Sequence, residues 1–302
     1  MTPHSSNHSF SRRAFLRAGA LAAGAVALGT RLHGAAAEAA KRPLFSSYGI
    51  AASLDKAAEL KAQGAEFLTE SVGAFLVPDQ GDEVFARNLE RLKASPLPVL
   101  ACNSFIRPAH LRCVGADATH DQVLAWANTC FRRLGQAGGK FIVFGSGGSR
   151  QLRDGWPKAK ADEQFVALLK RMGPLAAEQG VTVAVEQLQE RECNYITRIG
   201  EGAAIIRAVG HPNVRLLADF YHMACMGDTA ADLDAAMDVI SHVEIAEKAE
   251  RTVPGVKGDD FRPYLRVLRK HGYHGAISIE GRWEMPQVGP AFAEIARQAA
   301  DV

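Results

Sequence analysis

The chain has 302 residues, of which 47% are hydrophobic and 23% charged, with a formal net charge of +2. That balance is too apolar for a disordered chain and too neutral for a nucleic-acid surface. No run is long and apolar enough to cross a bilayer, and the length suits one large α/β core.

Residues 1–37 read as an export signal rather than as fold. Ser11-Arg12-Arg13-Ala14-Phe15-Leu16 sets paired arginines before an Ala/Gly-rich apolar run, Ala18 to Leu28. That run is about half of the ~20 residues that span a membrane, so no permanent anchor is expected. Ala35-Ala36-Ala37 then offers a small-residue cleavage site before Glu38. The order matches a twin-arginine signal, and the expected location is periplasmic or extracellular. Arg12, Arg13, Arg17 and Arg31 are the only charged residues of this segment, so 31 of the 35 basic residues remain against all 33 acids. The remaining chain, 38–302, carries a formal charge of −2 and no basic bias toward nucleic acid. The five cysteines, Cys102, Cys113, Cys130, Cys193 and Cys225, are odd in number and form no CxxC. They are expected as buried free thiols rather than as a zinc knuckle or a disulfide framework. Composition leaves the oligomeric state open, a homo-oligomer included.

From residue 43 onward, strand-like and helix-like segments alternate. Short apolar or β-branched runs stand at 43–50, 65–71, 98–105, 140–146, 181–188, 214–220, 240–247 and 275–281. Helical periodicity fills 53–63, 82–94, 119–137, 160–179, 199–209, 229–239, 260–271 and 289–300. Gly64, Gly180, Gly210 and Gly272 each end a helical stretch, as the left-handed closing turn of a helix favours. Strand then helix, eight times, predicts a single-domain (β/α)8 TIM barrel over 38–302. The long segment 145–158, beginning Gly145-Ser146-Gly147-Gly148, is expected as a loop at the barrel top.

Catalysis in such barrels sits at the carboxyl ends of the strands, and four consecutive predicted strands bring acids there. Strand five ends in Glu186, strand six in Asp219 with His222 three residues on, strand seven carries His242 and Glu244, and strand eight ends in Glu280. Each acid follows apolar residues, and a buried carboxylate without a partner is costly. A divalent cation would compensate all of them at once. Hard oxygen donors favour Mn2+ or Mg2+ over zinc. Glu186, Asp219, Glu244 and Glu280 are the candidate ligands, with His242 the alternative to Glu244, since the period of two puts both on one face. Such a cation would polarise a sugar carbonyl while Glu186 and Glu280 move protons on the adjoining carbons. His222 is placed to hold a substrate hydroxyl. Glu70, Asn103, Arg107 and Trp283 lie at or just past strand ends and are lesser substrate-facing candidates.

Val185-Glu186-Gln187 through Glu192-Cys193-Asn194, Asp219-Phe220-Tyr221-His222-Met223, His242 to Glu247 and Ile277-Ser278-Ile279-Glu280 carry a resemblance. Through them the chain resembles the xylose isomerase-like barrel superfamily, in its branch of ketose 3-epimerases and hydroxypyruvate isomerases. The likeness implies that Glu186 and Glu280 both bind the metal and form the acid/base pair, and that Asp219 is a ligand. It further implies that Glu192, His222 and, after a one-residue insertion, Arg251 hold a sugar or glycoside substrate. The chain departs from the pattern at Glu244, where the family usually has His, and at Gln187, where Pro is common. The implied function is a metal-dependent sugar isomerase or epimerase. The alternatives are a 3-keto-glycoside lyase or hydratase, which cleaves oxidised glycosides by elimination, and a sugar-binding barrel without catalysis. An abasic-site endonuclease is disfavoured by the neutral charge and the shortage of histidines at the strand ends.

Overall fold

Eight parallel strands close on themselves in sequence order, each paired with the next and the last with the first. The computed structural model describes residues 43–153 and 155–302; the predicted export signal lies outside them. The strands are β1 (Ser47–Ala51), β2 (Phe67–Ser71), β3 (Val99–Asn103), β4 (Phe141–Phe144), β5 (Thr182–Glu186), β6 (Val214–Asp219), β7 (Ile240–Ile245) and β8 (Ala276–Ile279). The principal helices are α1 (Ala57–Ala62), α2 (Asp82–Lys93), α3 (His120–Gln136), α4 (Lys158–Glu178), α5 (Ile199–Val209), α6 (Ala230–Ala236), α7 (Arg262–Lys270) and α8 (Met285–Ala300). This is the predicted TIM barrel, a single domain over Leu44–Val302. Among the described residues no helix is long and apolar enough to cross a membrane.

The two faces of each strand bury different partners. Ile142, Val183, Val185, Leu216 and Val243 join the large apolar layer under the helices. The alternate residues Ala101, Val143, Ala184 and Leu217 form a separate small cluster inside the barrel. One pleat further toward the carboxyl ends, the same inward face brings up Glu186 after Ala184 and Asp219 after Leu217. At the amino end the ring of Phe67 fills the space over Gly49, where a Cβ would stand 2.1 Å from a ring carbon. A side chain at 49 would push out the plug of the barrel floor.

Gly210 closes α5 in the left-handed conformation at φ +66, its amide bonded to the Ile206 carbonyl. The other three predicted helix stops also take positive φ. Sequence periodicity missed three short helices on the carboxyl rim, Val72–Phe75, Gly147–Arg150 and Phe220–Met226. A turn or two of helix is too short to show a period. The last is started by Asp219 itself, whose side chain caps the Tyr221 amide. The final helix begins at Met285, ahead of the expected 289, because Glu284 and Gln287 form a capping box and a proline is tolerated in the first turn. All five cysteines are unpaired thiols, four of them buried.

Candidate metal and sugar site

Strand register sets the site. Asp219 on β6 lies beside Glu244 on β7, and Glu244 beside Ser278 on β8, so Glu280 emerges two residues further along. Glu186 closes β5. One oxygen from each of Glu186, Asp219, Glu244 and Glu280 lies within 4.8 Å of the others. Glu186, Asp219 and Glu244 are buried, and Glu280 keeps 20% of its side chain open to the cavity above.

Partial pairing leaves a cation-shaped deficit. Asp219 accepts from the Tyr221 amide at 2.7 Å and from Arg251 at 3.1 Å. Glu280 accepts from Asn103 at 2.7 Å and from Arg251 at 2.5 Å. Glu186 Oε1 and both oxygens of Glu244 are buried without a hydrogen-bond partner. Burial pushes the Glu186 carboxyl up to about 7, a rise that His222 partly offsets and Glu280 adds to. Burial, then the charges of Glu280, Glu186 and Asp219, raise Glu244 well above the carboxylate range. Burial also raises Glu280, against the pull of Arg251. Four converging acids, two of them with orphaned oxygens, are a donor set that a hard dication satisfies, so the residues present fit a divalent metal.

A second grouping joins Glu186, Asp219 and His222. The His222 ring is fully buried, and its Nδ1 accepts the Gln189 amide at 3.1 Å. In the neutral tautomer its Nε2 therefore carries the proton, which makes it a donor rather than a ligand. That Nε2 stands 3.5 Å from both Glu186 and Asp219. Burial favours the neutral ring, but Asp219 and Glu186 outweigh it and raise the pKa.

His242 belongs to neither grouping. It lies one pleat deeper, stacked on Phe141 with centroids 4.9 Å apart, and burial holds its pKa down to about 4. Both its ring nitrogens lack hydrogen-bond partners. The alternation that gives His242 and Glu244 one face also offsets their backbones by two residues along the strand, roughly 6–7 Å, and the His242 ring comes up beneath Glu244 with Nε2 4.0 Å from its Oε1. Among the described residues, Glu244 is the strand-seven group in the cluster.

Above the carboxylates opens a cavity of about 480 Å³, bordered by Asn103, Arg107, Gly145, Glu192, His222 and Arg251. Arg251 reaches Asp219 and Glu280 with one nitrogen and stands 3.6 Å from Glu192 with another. Its guanidinium also lies over the Tyr221 ring, 4.6 Å from the centroid. Gln189 donates to Glu192 at 2.9 Å and to the Tyr221 hydroxyl at 2.7 Å. The predicted substrate residues Glu192, His222 and Arg251 thus border one space. Glu70 does not: its carboxylate accepts the Leu54 and Ser71 amides. Trp283 lies under Lys56 instead.

Two supporting residues escaped sequence reasoning. Arg150 is fully buried and donates to the Gly145 carbonyl at 2.7 Å and to the Glu186 carbonyl at 2.8 Å, tying the ends of β4 and β5 together. Glu247 is fully buried and accepts the amides of Gly255, Lys257, Gly258 and Asp259 and the Thr252 hydroxyl. The closely spaced glycines after the last acid of the His242–Glu247 stretch were its only signal.

The model of the family described as xylose isomerase-like TIM barrel matches residues 54–301. The chain is 38% identical over 129 residues to the 2-oxo-tetronate isomerase of Cupriavidus necator, a match covering 41% of this chain and 49% of that protein. It is 29% identical over 135 residues to the inosose isomerase of Halalkalibacterium halodurans, covering 41% and 47%. The chain thus spans about half the length of the curated relatives it matches. The fold matches the 3-keto-D-glucoside 4-epimerase of E. coli with TM-score 0.69 and 20% identity, over 83% of this chain and 98% of that one. It also matches the IOLI protein, solved with a bound zinc atom, with TM-score 0.64 and 18% identity over 84% and 95%.

Proposed function

We propose, from the premise that the chain belongs to the xylose isomerase-like TIM barrel family, that it is a divalent-metal-dependent enzyme moving a proton beside the carbonyl of a sugar, as an isomerase or epimerase. The observation that carries this is the convergence of Glu186, Asp219, Glu244 and Glu280, with buried oxygens of Glu186 and Glu244 left unpartnered. The relatives' names, isomerases of sugar-like keto compounds, support the reaction class.

Those four carboxylates would hold the metal, with Mn2+ or Mg2+ the expected ion for all-oxygen ligation. When bound, the metal supplies polarisation of the substrate carbonyl, which acidifies the neighbouring C–H. Glu186, held near neutrality by burial, suits a group that must both take and give a proton at working pH. Glu280, which lines the cavity with Glu186 and is the more exposed of the two, would deliver a proton from its own side of the bound chain. Return to the other face of the same carbon is epimerisation; return to the neighbouring carbon is isomerisation. His222 Nε2–H and Arg251 orient hydroxyls, and the apolar shell beneath excludes water. Residues 1–37 lead us to infer that the reaction takes place outside the cytoplasm.

A second reading uses the same first step. Proton removal next to a 3-ketone, followed by departure of the glycosidic oxygen with the electron pair, would make the chain a 3-keto-glycoside lyase. A second cavity on the same rim, large enough for an aglycone, favours keeping it.

The test is metal analysis of the purified chain, with incubation of candidate ketoses, keto acids and 3-keto-glycosides with Mn2+ in D2O. Exchange of a carbon-bound hydrogen that EDTA abolishes is expected. Exchange that survives complete metal removal would sink the proposal. Release of the aglycone from the 3-keto-glycoside selects the lyase reading.

A further inference from the structure

The barrel mouth is divided. Beside the inner cavity lies an outer one of about 840 Å³, formed by the loops after β5, β7 and β8 and the helix Phe220–Met226. Glu192 and Arg251 border both chambers. Their 3.6 Å ion pair, with Tyr221 under the guanidinium and Gln189 bonded to Glu192 and Tyr221, makes a partition of ordered side chains.

The chambers carry opposite charge. The inner one sets four carboxylates at its base against Arg251 and, on its border, Arg107. In the outer one, several charges are already engaged: Glu192 with Arg251 and Glu250 with Lys257. Arg191, Lys248 and Arg282 make no ion pair among the described residues, and Glu190 is the one acid of that wall left to oppose them. The outer chamber therefore holds an excess of positive charge about one partition away from a strongly acidic centre. Cationic side chains left without partners around a concave surface are the usual means of receiving a carboxylate or a phosphate.

We propose that the outer chamber is a subsite for an anionic part of the substrate, a carboxylate- or phosphate-bearing group attached beyond the reacting carbons. This rests on the reading of the inner chamber as the reaction site and adds the substrate class to it: a two-part, negatively charged sugar derivative rather than a free neutral sugar. Lys248 and Arg282 are the specificity-determining residues. Their backbone amides serve the Asp259 side chain and the Arg251 carbonyl, so side-chain replacement leaves those bonds in place.

The experiment uses the full chain and two probes. Inorganic phosphate, added to metal-free protein, is followed by its effect on the melting temperature. D-fructose and D-fructose 6-phosphate are compared by calorimetry on Mn2+-loaded protein. Phosphate should stabilise the wild type and lose that effect in the Lys248→Gln/Arg282→Gln double variant. The phosphorylated ketose should bind at least ten-fold more tightly than the neutral one in the wild type, with the gap closed in the variant and fructose affinity unchanged. A gap that persists in the double variant, or no phosphate effect on the metal-free wild type, overturns the subsite. The phosphate arm needs neither metal nor turnover. Failure of the proton-transfer reading would appear separately, as absence of D2O exchange in a protein that still binds phosphate through Lys248 and Arg282.

Discussion

Glu244 is the residue whose chemistry departs most from its surroundings. It is an acid with both oxygens orphaned, and its charge adds to three others. A set of four carboxylates leaves a net charge near −2 around a dication, so the site should prefer a hard ion, and one carboxyl should keep its proton. Glu244→His removes a hard donor and supplies a borderline nitrogen. Competition titration should show the Mn2+/Zn2+ affinity ratio falling by ten-fold or more; an unchanged ratio would mean that residue 244 is not a ligand. Glu186→Gln and Glu280→Gln each remove a proton carrier. Hydrogen exchange into substrate should drop by about 10²–10⁴-fold in either, the usual span for losing a general acid or base. A variant that keeps wild-type exchange would release that residue from its role.

At the scale of elements, the segment after β7 is held by a buried carboxylate. Glu247 Oε1 accepts three backbone amides, and Oε2 accepts a fourth together with the Thr252 hydroxyl. The same segment carries Arg251, in the left-handed region at φ +55, with its carbonyl bonded to the Arg282 amide. Both carboxylate oxygens act purely as acceptors, so an amide cannot replace them: one end of Gln would set a donor against the donors it has to satisfy. Glu247→Gln should cost on the order of 1–3 kcal/mol in urea unfolding, raise KM through Arg251, and speed amide exchange over residues 252–259. Wild-type stability in this variant would contradict the account. Inside the barrel, Leu217→Ala opens space beneath Asp219, and the loss of a buried leucine predicts about 2–5 kcal/mol of destabilisation.

For the whole molecule, acid burial ties stability to pH and to metal. Glu186 in the folded chain titrates near 7, above the ~4.3 of an unfolded Glu. Its contribution is therefore fully present below about pH 4 and is lost as pH rises through 7. Glu244, raised further by burial and by its acidic neighbours, acts in the same direction. Metal-free protein should lose melting temperature between pH 5 and pH 8, and Glu186→Gln should lose less over that interval. Saturating Mn2+ should flatten or reverse the trend, because the ion binds the deprotonated carboxylates and only in the folded chain. Parallel melting curves with Mn2+ and with EDTA at every pH would refute the link.

The sequence alone pointed to the architecture: an open doubly wound sheet would show the same strand–helix alternation, but eight such units in one chain, with acids at four consecutive strand ends, favour a barrel, and the pairing of the last strand with the first closes it. The sequence also marked the four acids, since strand ends can be located from the runs that precede them. Only the tertiary structure groups Glu244, rather than His242, with the other three acids: the period of two equates their faces and says nothing of depth along the barrel. It alone exposed the anchoring of Arg251 by Glu247, the tie from Arg150 to Glu186, and the divided mouth. Those depend on loops converging from β5, β6, β7 and β8, far apart along the chain, and local periodicity carries no record of which loops meet.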